Sequence, residues 1–243
     1  MIGRKKKALL FLLFSSIQFA HGQNGACNIK MIKTYFSFDQ LIDRRDSILT
    51  HSKPIYVDFY ENGLKTKRSY AKYEGRERIE EHKYDSTGKL LKILAYSKHP
   101  LNGWIPQDSI IYQYRSNKLY SEKKYVEDGS GEKRYTYKGD TTFIEDYLDD
   151  EYMLTFIRYR DKIDSAIFIE QIVLPEKSEI INKFRYDQKS NLVDIVHIEN
   201  GVEEIDGYTK YNYDQCGNMI MMADFTLPDH RVWHLKFFEI EYE

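Results

Sequence analysis

Cysteine, tryptophan and proline are scarce in this chain: its 243 residues hold two Cys, two Trp and five Pro, against 21 Tyr and 13 Phe. The two cysteines, Cys27 and Cys216, leave no cysteine-based catalytic arrangement, and no Gly-x-Ser-x-Gly nucleophile elbow is present. Gly-rich phosphate loops are also missing, since Gly129-Ser130-Gly131 reads as a hairpin tip. Positive charge is not in excess: 36 Lys+Arg against 38 Asp+Glu give a formal charge of −2, which excludes a generic nucleic-acid binder. Long apolar runs are confined to the first residues, so no later stretch reaches the ~20 residues of a membrane-spanning helix.

With 42% hydrophobic and 30% charged residues the chain reads as folded. Its 15% aromatic content favours pleated, half-buried surfaces, hence a β-rich protein.

Residues 1–22 read as a secretory signal, with a basic stretch Arg4-Lys5-Lys6-Lys7, an apolar core Ala8 to Phe14 and a small-x-small site at Ala20-His21-Gly22. Its removal takes away four cations and leaves 32 Lys+Arg against 38 Asp+Glu, a net charge of −6 for an exported, periplasmic or extracellular chain. Cys27 admits three states, disulfide-bonded to Cys216, free, or lipidated; Asn24 stands where a lipobox carries Leu.

An aromatic-x-Tyr doublet followed by a turn organises the remainder. The second Tyr recurs at 60, 84, 114, 137, 159, 186, 213 and 242, spaced 22 to 30 residues apart. Turn chemistry follows it, as in Glu61-Asn62-Gly63, Asp85-Ser86-Thr87-Gly88 and Asp214-Gln215-Cys216-Gly217-Asn218, and alternation resumes beyond, as in Leu90, Lys92, Leu94 and Tyr96. Each unit is therefore a β-hairpin, and all five prolines fall outside the expected strands. Roughly fifteen antiparallel strands in sequential order form a meander over 51–243, which should curl into a strongly coiled sheet or a partly closed roll. Within the N-terminal segment 23–50, Leu41, Ile42, Ile48 and Leu49 sit at near-helical spacing and suggest one short helix before the sheet.

Tyr84-Asp85-Ser86-Thr87-Gly88-Lys89-Leu90 and Tyr213-Asp214-Gln215-Cys216-Gly217-Asn218-Met219 resemble the YD repeat of bacterial Rhs-type proteins, with Tyr186-Asp187 and Asn191-Leu192 a looser copy. Trp104 and Trp233, which precede Tyr114 and Tyr242 by ten and nine residues, look like its Trp-initiated variant. The basic residues Arg115, Lys138 and Arg160 replace the Asp in the middle units. The resemblance implies a spiral β-ribbon architecture, which in large members encapsulates a toxin and in some binds carbohydrate; this chain is too short for such a shell, and function does not carry over with fold.

Two candidate metal or acid sites reduce to simpler readings. His230 and His234 are four apart on a strand, about 13 Å from each other, too far to share a metal. Glu145-Asp146 and Asp149-Asp150-Glu151 lack the alternate ligands and central Gly of a calcium loop and read as a solvated hairpin. No metal, cofactor or catalytic residue is assigned. Arms such as Ser121-Glu122-Lys123-Lys124-Tyr125 put charge on both faces, which argues against an outer-membrane barrel. Binding, if it uses the aromatics, falls to Trp104, Trp233, Tyr112 and Tyr211. The reading is a non-enzymatic secreted or envelope scaffold for a protein or glycan partner, with an apolar-ligand carrier or an exported hydrolase as alternatives.

Overall fold

The computed structural model describes residues 27–37, 52–71, 77–162, 164–175, 179–188, 191–199, 201–227 and 231–242. Signal residues 1–22, the segment containing Leu41 to Leu49 and His230 lie outside them. The first eight strands are β1 (Ile29–Ser37), β2 (Tyr56–Glu61), β3 (Leu64–Tyr70), β4 (Arg78–Tyr84), β5 (Leu90–His99), β6 (Gly103–Arg115), β7 (Lys118–Val126) and β8 (Gly129–Lys138). The second eight are β9 (Thr141–Leu148), β10 (Glu151–Arg160), β11 (Ile167–Val173), β12 (Glu179–Tyr186), β13 (Leu192–Glu199), β14 (Val202–Tyr213), β15 (Met219–Thr226) and β16 (Val232–Tyr242).

Every strand pairs antiparallel with its sequence neighbours, and β1 pairs with β16, from Ile29 against Tyr242 to Ser37 against Leu235. The sheet is thus a closed sixteen-strand barrel, not a coiled sheet or partly closed roll. Closure leaves no unpaired strand edge, the reason a long sheet does not stop as an open ribbon. Residues 29–37 supply the closing strand, so the N-terminal segment is not merely a lead-in to the sheet. Pro106 also departs from expectation. It lies within β6, at the bulge between the Leu94–Ser109 and Tyr96–Pro106 pairs, where a strand tolerates a missing N–H. Gly129 to Gly131 begin β8 instead of forming a hairpin tip.

The turns follow the sequence chemistry. Asn62-Gly63, Ser116-Asn117 and Asp149-Asp150 all take positive φ at both central positions, the geometry that matches the twist of tight hairpins. After Tyr84, Tyr186 and Tyr213 the Asp side chain closes the turn: Asp85 Oδ1 accepts from the Lys89 N–H (3.0 Å), Asp187 Oδ1 from Asn191 (2.9 Å) and Asp214 Oδ1 from Asn218 (2.9 Å). Hydrogen bonds from Thr87 and Lys89 hold the Asp85 carboxyl below the usual carboxylate range.

The barrel has two unlike rims. Turns that follow the repeat Tyr lie at one rim, here the Tyr rim. The connections β5–β6, β7–β8, β9–β10, β13–β14 and β15–β16 lie at the other, here the long-loop rim. Cys27 and Cys216 are joined by a disulfide (Cα–Cα 6.1 Å), which ties the start of β1 to the β14–β15 turn.

Candidate functional site

Alternation sorts the side chains into two faces of the wall. One face carries Thr34, Tyr56, Asp58, Arg68, Glu80, His82, Ile144, Phe156, Arg158, Glu170, Ile172, Asn182 and Lys236; Asp58, Glu170 and Asn182 are buried. This is the inner face: five of the seven buried polar residues among the described ones, Thr34, Asp58, His82, Glu170 and Asn182, lie on it. A circular wall of sixteen strands at ~4.8 Å spacing and ~40° tilt would be roughly 30 Å across, so inward groups find partners along the wall. They do. Arg68 donates to both oxygens of Asp58 (2.6 and 2.8 Å), Arg158 Nε donates to Glu170 (2.5 Å), and Asp224 accepts from Thr209 (2.7 Å) and meets His234 Nδ1 at 2.8 Å. Ile144, Phe156 and Ile172 form the apolar patch between these pairs. A second apolar cluster, Ile32, Met219 and Phe238, lies on the same face along β1, β15 and β16.

The opposite face is equally decisive. It presents Lys33, Lys67, Glu81, Lys83, Lys123, Glu132, Arg134, Glu145, Lys183 and Arg185, many at mid-strand. Lys33 pairs with Glu239 (3.0 Å), and Arg134 pairs with Glu132 (2.8 Å). A lipid-facing wall needs an apolar band about 25 Å tall and strands of about 9 to 11 residues, whereas β2 has 6 and β3, β4 and β11 have 7 each. The same face also carries the buried cluster of Tyr35, Met221, Ala223, Leu235 and Phe237 along β1, β15 and β16. Among the described residues no helix is long and apolar enough to cross a membrane.

Exposed apolar side chains are gathered elsewhere. Of the eleven large hydrophobic residues exposed among the described ones, ten lie at the long-loop rim: Leu101, Trp104, Tyr125, Val126, Leu148, Tyr152, Met153, Val202, Ile205 and Leu227. Leu101 is 89% and Val202 62% exposed, values unusual for residues that cost free energy in water. Three adjacent connections, β5–β6, β7–β8 and β9–β10, hold seven of them. Two of these connections also carry the exposed acids Glu127, Asp128, Asp149, Asp150 and Glu151. Asp149 fastens the two together: its carboxylate accepts from the Ser130 N–H (2.7 Å), and its own N–H donates to the Ser130 carbonyl (2.8 Å).

The four aromatic residues singled out in the sequence are not brought together. Trp104 is 43% exposed at the long-loop rim, with Lys98 Nζ 5.9 Å from its ring centre. Trp233 lies near the start of β16. Tyr112 and Tyr211 face inward, where burial pushes both phenols well above their ordinary value, and the Tyr211 hydroxyl donates to the Leu192 carbonyl. These tyrosines are wall-packing groups, while the exposed rim residues Leu101, Val126, Leu148 and Val202 carried no motif and could be found only from their place in turns.

Fold and faces define a closed sixteen-strand antiparallel β-barrel whose inner wall carries ion pairs. No protein-family profile and no curated protein matches the chain. Among solved structures it is similar to a porin-like protein from Bacteroides vulgatus ATCC 8482, at 13% identity over 73% of this chain and 97% of that one, with a TM-score of 0.43. It is also similar to a porin-like protein from Bacteroides uniformis ATCC 8492, at 8% identity over 88% and 96% of the two chains, with a TM-score of 0.42. Likeness of that degree carries no functional argument. The YD-repeat resemblance is corrected: the hairpin units do not wind into a spiral ribbon but close on themselves through β1 and β16. The Tyr-turn spacing reports hairpin chemistry, which unrelated barrels can share.

Proposed function

We propose that this chain is an exported, non-enzymatic barrel scaffold that holds a partner protein of the cell envelope on its long-loop rim. The observation that carries the reading is the gathering at that rim of ten of the eleven large hydrophobic residues exposed among the described ones. Carboxylates at Glu127, Asp128, Asp150 and Glu151 edge the patch, so the matching surface is apolar and cationic. A protein fits better than a sugar, because the Lys98 ammonium already sits over the Trp104 ring that a sugar would stack on. Catalysis has no comparable support: Asp58 and Glu170, the most deeply buried inner-wall carboxylates, are each held by an arginine, as expected of structural pairs.

Photo-crosslinking in intact envelopes tests this. A benzophenone side chain placed at Leu101, Val126 or Met153 should capture one discrete protein, and the same group at Lys67 on the outer wall should not. Absence of a rim-specific product, or equal capture from Lys67, overturns the assignment.

A further inference from the structure

Closure pairs every strand along the wall, but β6 outruns its neighbour. Its pairing with β5 begins at Gly103, opposite His99, whereas its pairing with β7 begins only at Ser109, opposite Tyr125. Gly103 to Asp108 therefore have β5 on one side and no strand on the other. The direction of the backbone there follows from β5. Lys98 turns its N–H to the Glu77 carbonyl (2.9 Å) on the far side, so Trp104, its register partner, points its own N–H and carbonyl away from β5, at the open edge. Pro106, two residues on, adds a carbonyl and no donor. Gly103, Trp104, Pro106 and Gln107 are all exposed. At the same rim β10 before Thr155 and β14 before Gly207 also outrun a neighbour. Glu151 stands on the first of those edges and Glu203 and Glu204 on the second, and charge on an edge discourages pairing. The β6 edge from Gly103 to Gln107 carries none.

We infer that the partner engages this edge by adding a short antiparallel strand alongside Gly103 to Gln107, and that the strand is the partner's free N-terminus. The inference rests on the long-loop rim being the partner surface. A strand laid on this edge lies in line with β7 and meets the end of β7 at Val126, so a chain has room to begin there and none to run straight on. The β7–β8 turn beside that point carries the exposed Glu127 and Asp128, which attract an α-ammonium and repel a carboxylate. An antiparallel strand puts its N-terminus there, and a parallel one would put its C-terminus there. Trp104 and Pro106 share one face of the segment and Ile105 takes the other, so main-chain bonds supply the attachment and alternate apolar side chains of the partner pack on these residues.

The probe is the hexapeptide amide Val-Thr-Val-Thr-Val-Thr with a free N-terminus, titrated into the oxidised mature protein by calorimetry while the Trp104 backbone ¹H–¹⁵N signal and its exchange with deuterium are followed. Saturable binding that moves this signal and slows its exchange about ten-fold or more is expected. N-methylation of one alternate set of peptide residues should abolish binding and of the other set should leave it, since an edge bonds only every second N–H. Acetylating the peptide N-terminus should weaken binding several-fold, and that difference should vanish in Glu127→Gln with Asp128→Asn. Trp104→Pro, which removes the edge N–H, should bind about ten-fold more weakly than Trp104→Leu, which keeps it. No saturable binding, equal effects of the two N-methyl sets, or equal affinity of free and acetylated peptide overturns the inference. Should Trp104→Pro fail to fold, the N-methylated peptides decide alone. Rim-specific photo-crosslinking reads the underlying surface separately: when it succeeds and the peptide results are negative, strand addition fails and the partner surface stands, whereas its own failure removes both.

Discussion

The Tyr84 hydroxyl donates to the Lys65 carbonyl at 2.8 Å, reaching back 19 residues to the first residues beyond the preceding turn. The relationship repeats: Tyr114 donates to Leu90 (3.0 Å) and Tyr137 to Leu119 (2.9 Å), in each case the strand residue that leaves the previous Tyr turn. At the end of the chain the form shifts to side chains, with Tyr242 donating to Asp214 and accepting from Asn218 Nδ2 (2.9 Å). In these units the Tyr locks the turn of the unit before it, and the repeat period is the distance between one lock and the next. Removing one hydroxyl leaves a carbonyl without its partner, so Tyr114→Phe and Tyr137→Phe should each cost about 0.5 to 1.5 kcal/mol in denaturant unfolding. Tyr125→Phe at the other rim should cost almost nothing.

Glu170 is held in the inner wall by Arg158, with its own side chain only 4% exposed. Arg158→Met strands that carboxylate in a low-dielectric wall and should destabilise by about 3 kcal/mol, somewhat less than a fully buried pair because the arginine keeps a view of solvent. Replacing both, as Arg158→Met with Glu170→Leu, should recover most of the loss. A double-mutant cycle by thermal or urea unfolding reads it.

Gly207 stands at the β13–β14 irregularity, where a Cβ would come within 2.0 Å of the Phe225 carbonyl oxygen. Backbone, not a movable side chain, would have to shift. Gly207→Ala should therefore cost more than 1 kcal/mol, which is the reverse of the gain this substitution gives in an ordinary strand. Gly139→Ala, with open space around it, is the comparison, and its cost should come only from its φ of 59°.

Neutral His82 ties stability to pH. Its folded pKa is lowered to about 4 from an ordinary 6.5, chiefly by burial. The contribution is therefore fully present above pH 6.5 and is lost as pH falls toward 4, because protonation favours the unfolded chain. His82→Gln should flatten the stability profile between those two pH values and leave the slope above pH 7 untouched.

The disulfide between Cys27 and Cys216 spans 189 residues and anchors the closing strand. Reduction, or Cys27→Ser with Cys216→Ser, should lower stability by about 2 to 5 kcal/mol in the chain-entropy account, read as a shift in unfolding midpoint between reduced and oxidised protein. The seam itself, with its eight residue pairs, should persist in the reduced barrel.

Local structure was readable from the sequence to a large degree. Asn62-Gly63 and Asp85-Ser86-Thr87-Gly88 state their turns outright, and the strands around them, β4 against β5 and β12 against β13, stand where alternation puts them. Closure was not readable. It depends on Ile29–Ser37 finding Leu235–Tyr242 across 200 residues, and IKMIKTYFS carries neither the Tyr doublet nor a turn to announce a strand. Nor was the direction of each face. Charges occur on both, and only the register separates Asp58 and Arg68, paired inside, from Lys67 and Glu81, paired in register outside. The tyrosines looked like a stacking platform because hydroxyl-to-carbonyl locks between successive units have no signature beyond the spacing itself. Leu101 and Val202 gave no signal, because a single apolar residue in a turn is common and only their assembly on one rim distinguishes them.

The proposed scaffold requires a barrel whose outer wall meets water. The direct measurement is vesicle flotation of the oxidised mature protein, prepared without detergent, alongside small-angle scattering of the same sample. The account predicts a folded, compact particle that stays with the aqueous fraction. Protein that folds only with detergent, or that floats with the vesicles and resists protease there, would show that Lys67, Lys123 and Lys183 do not face water and would contradict it.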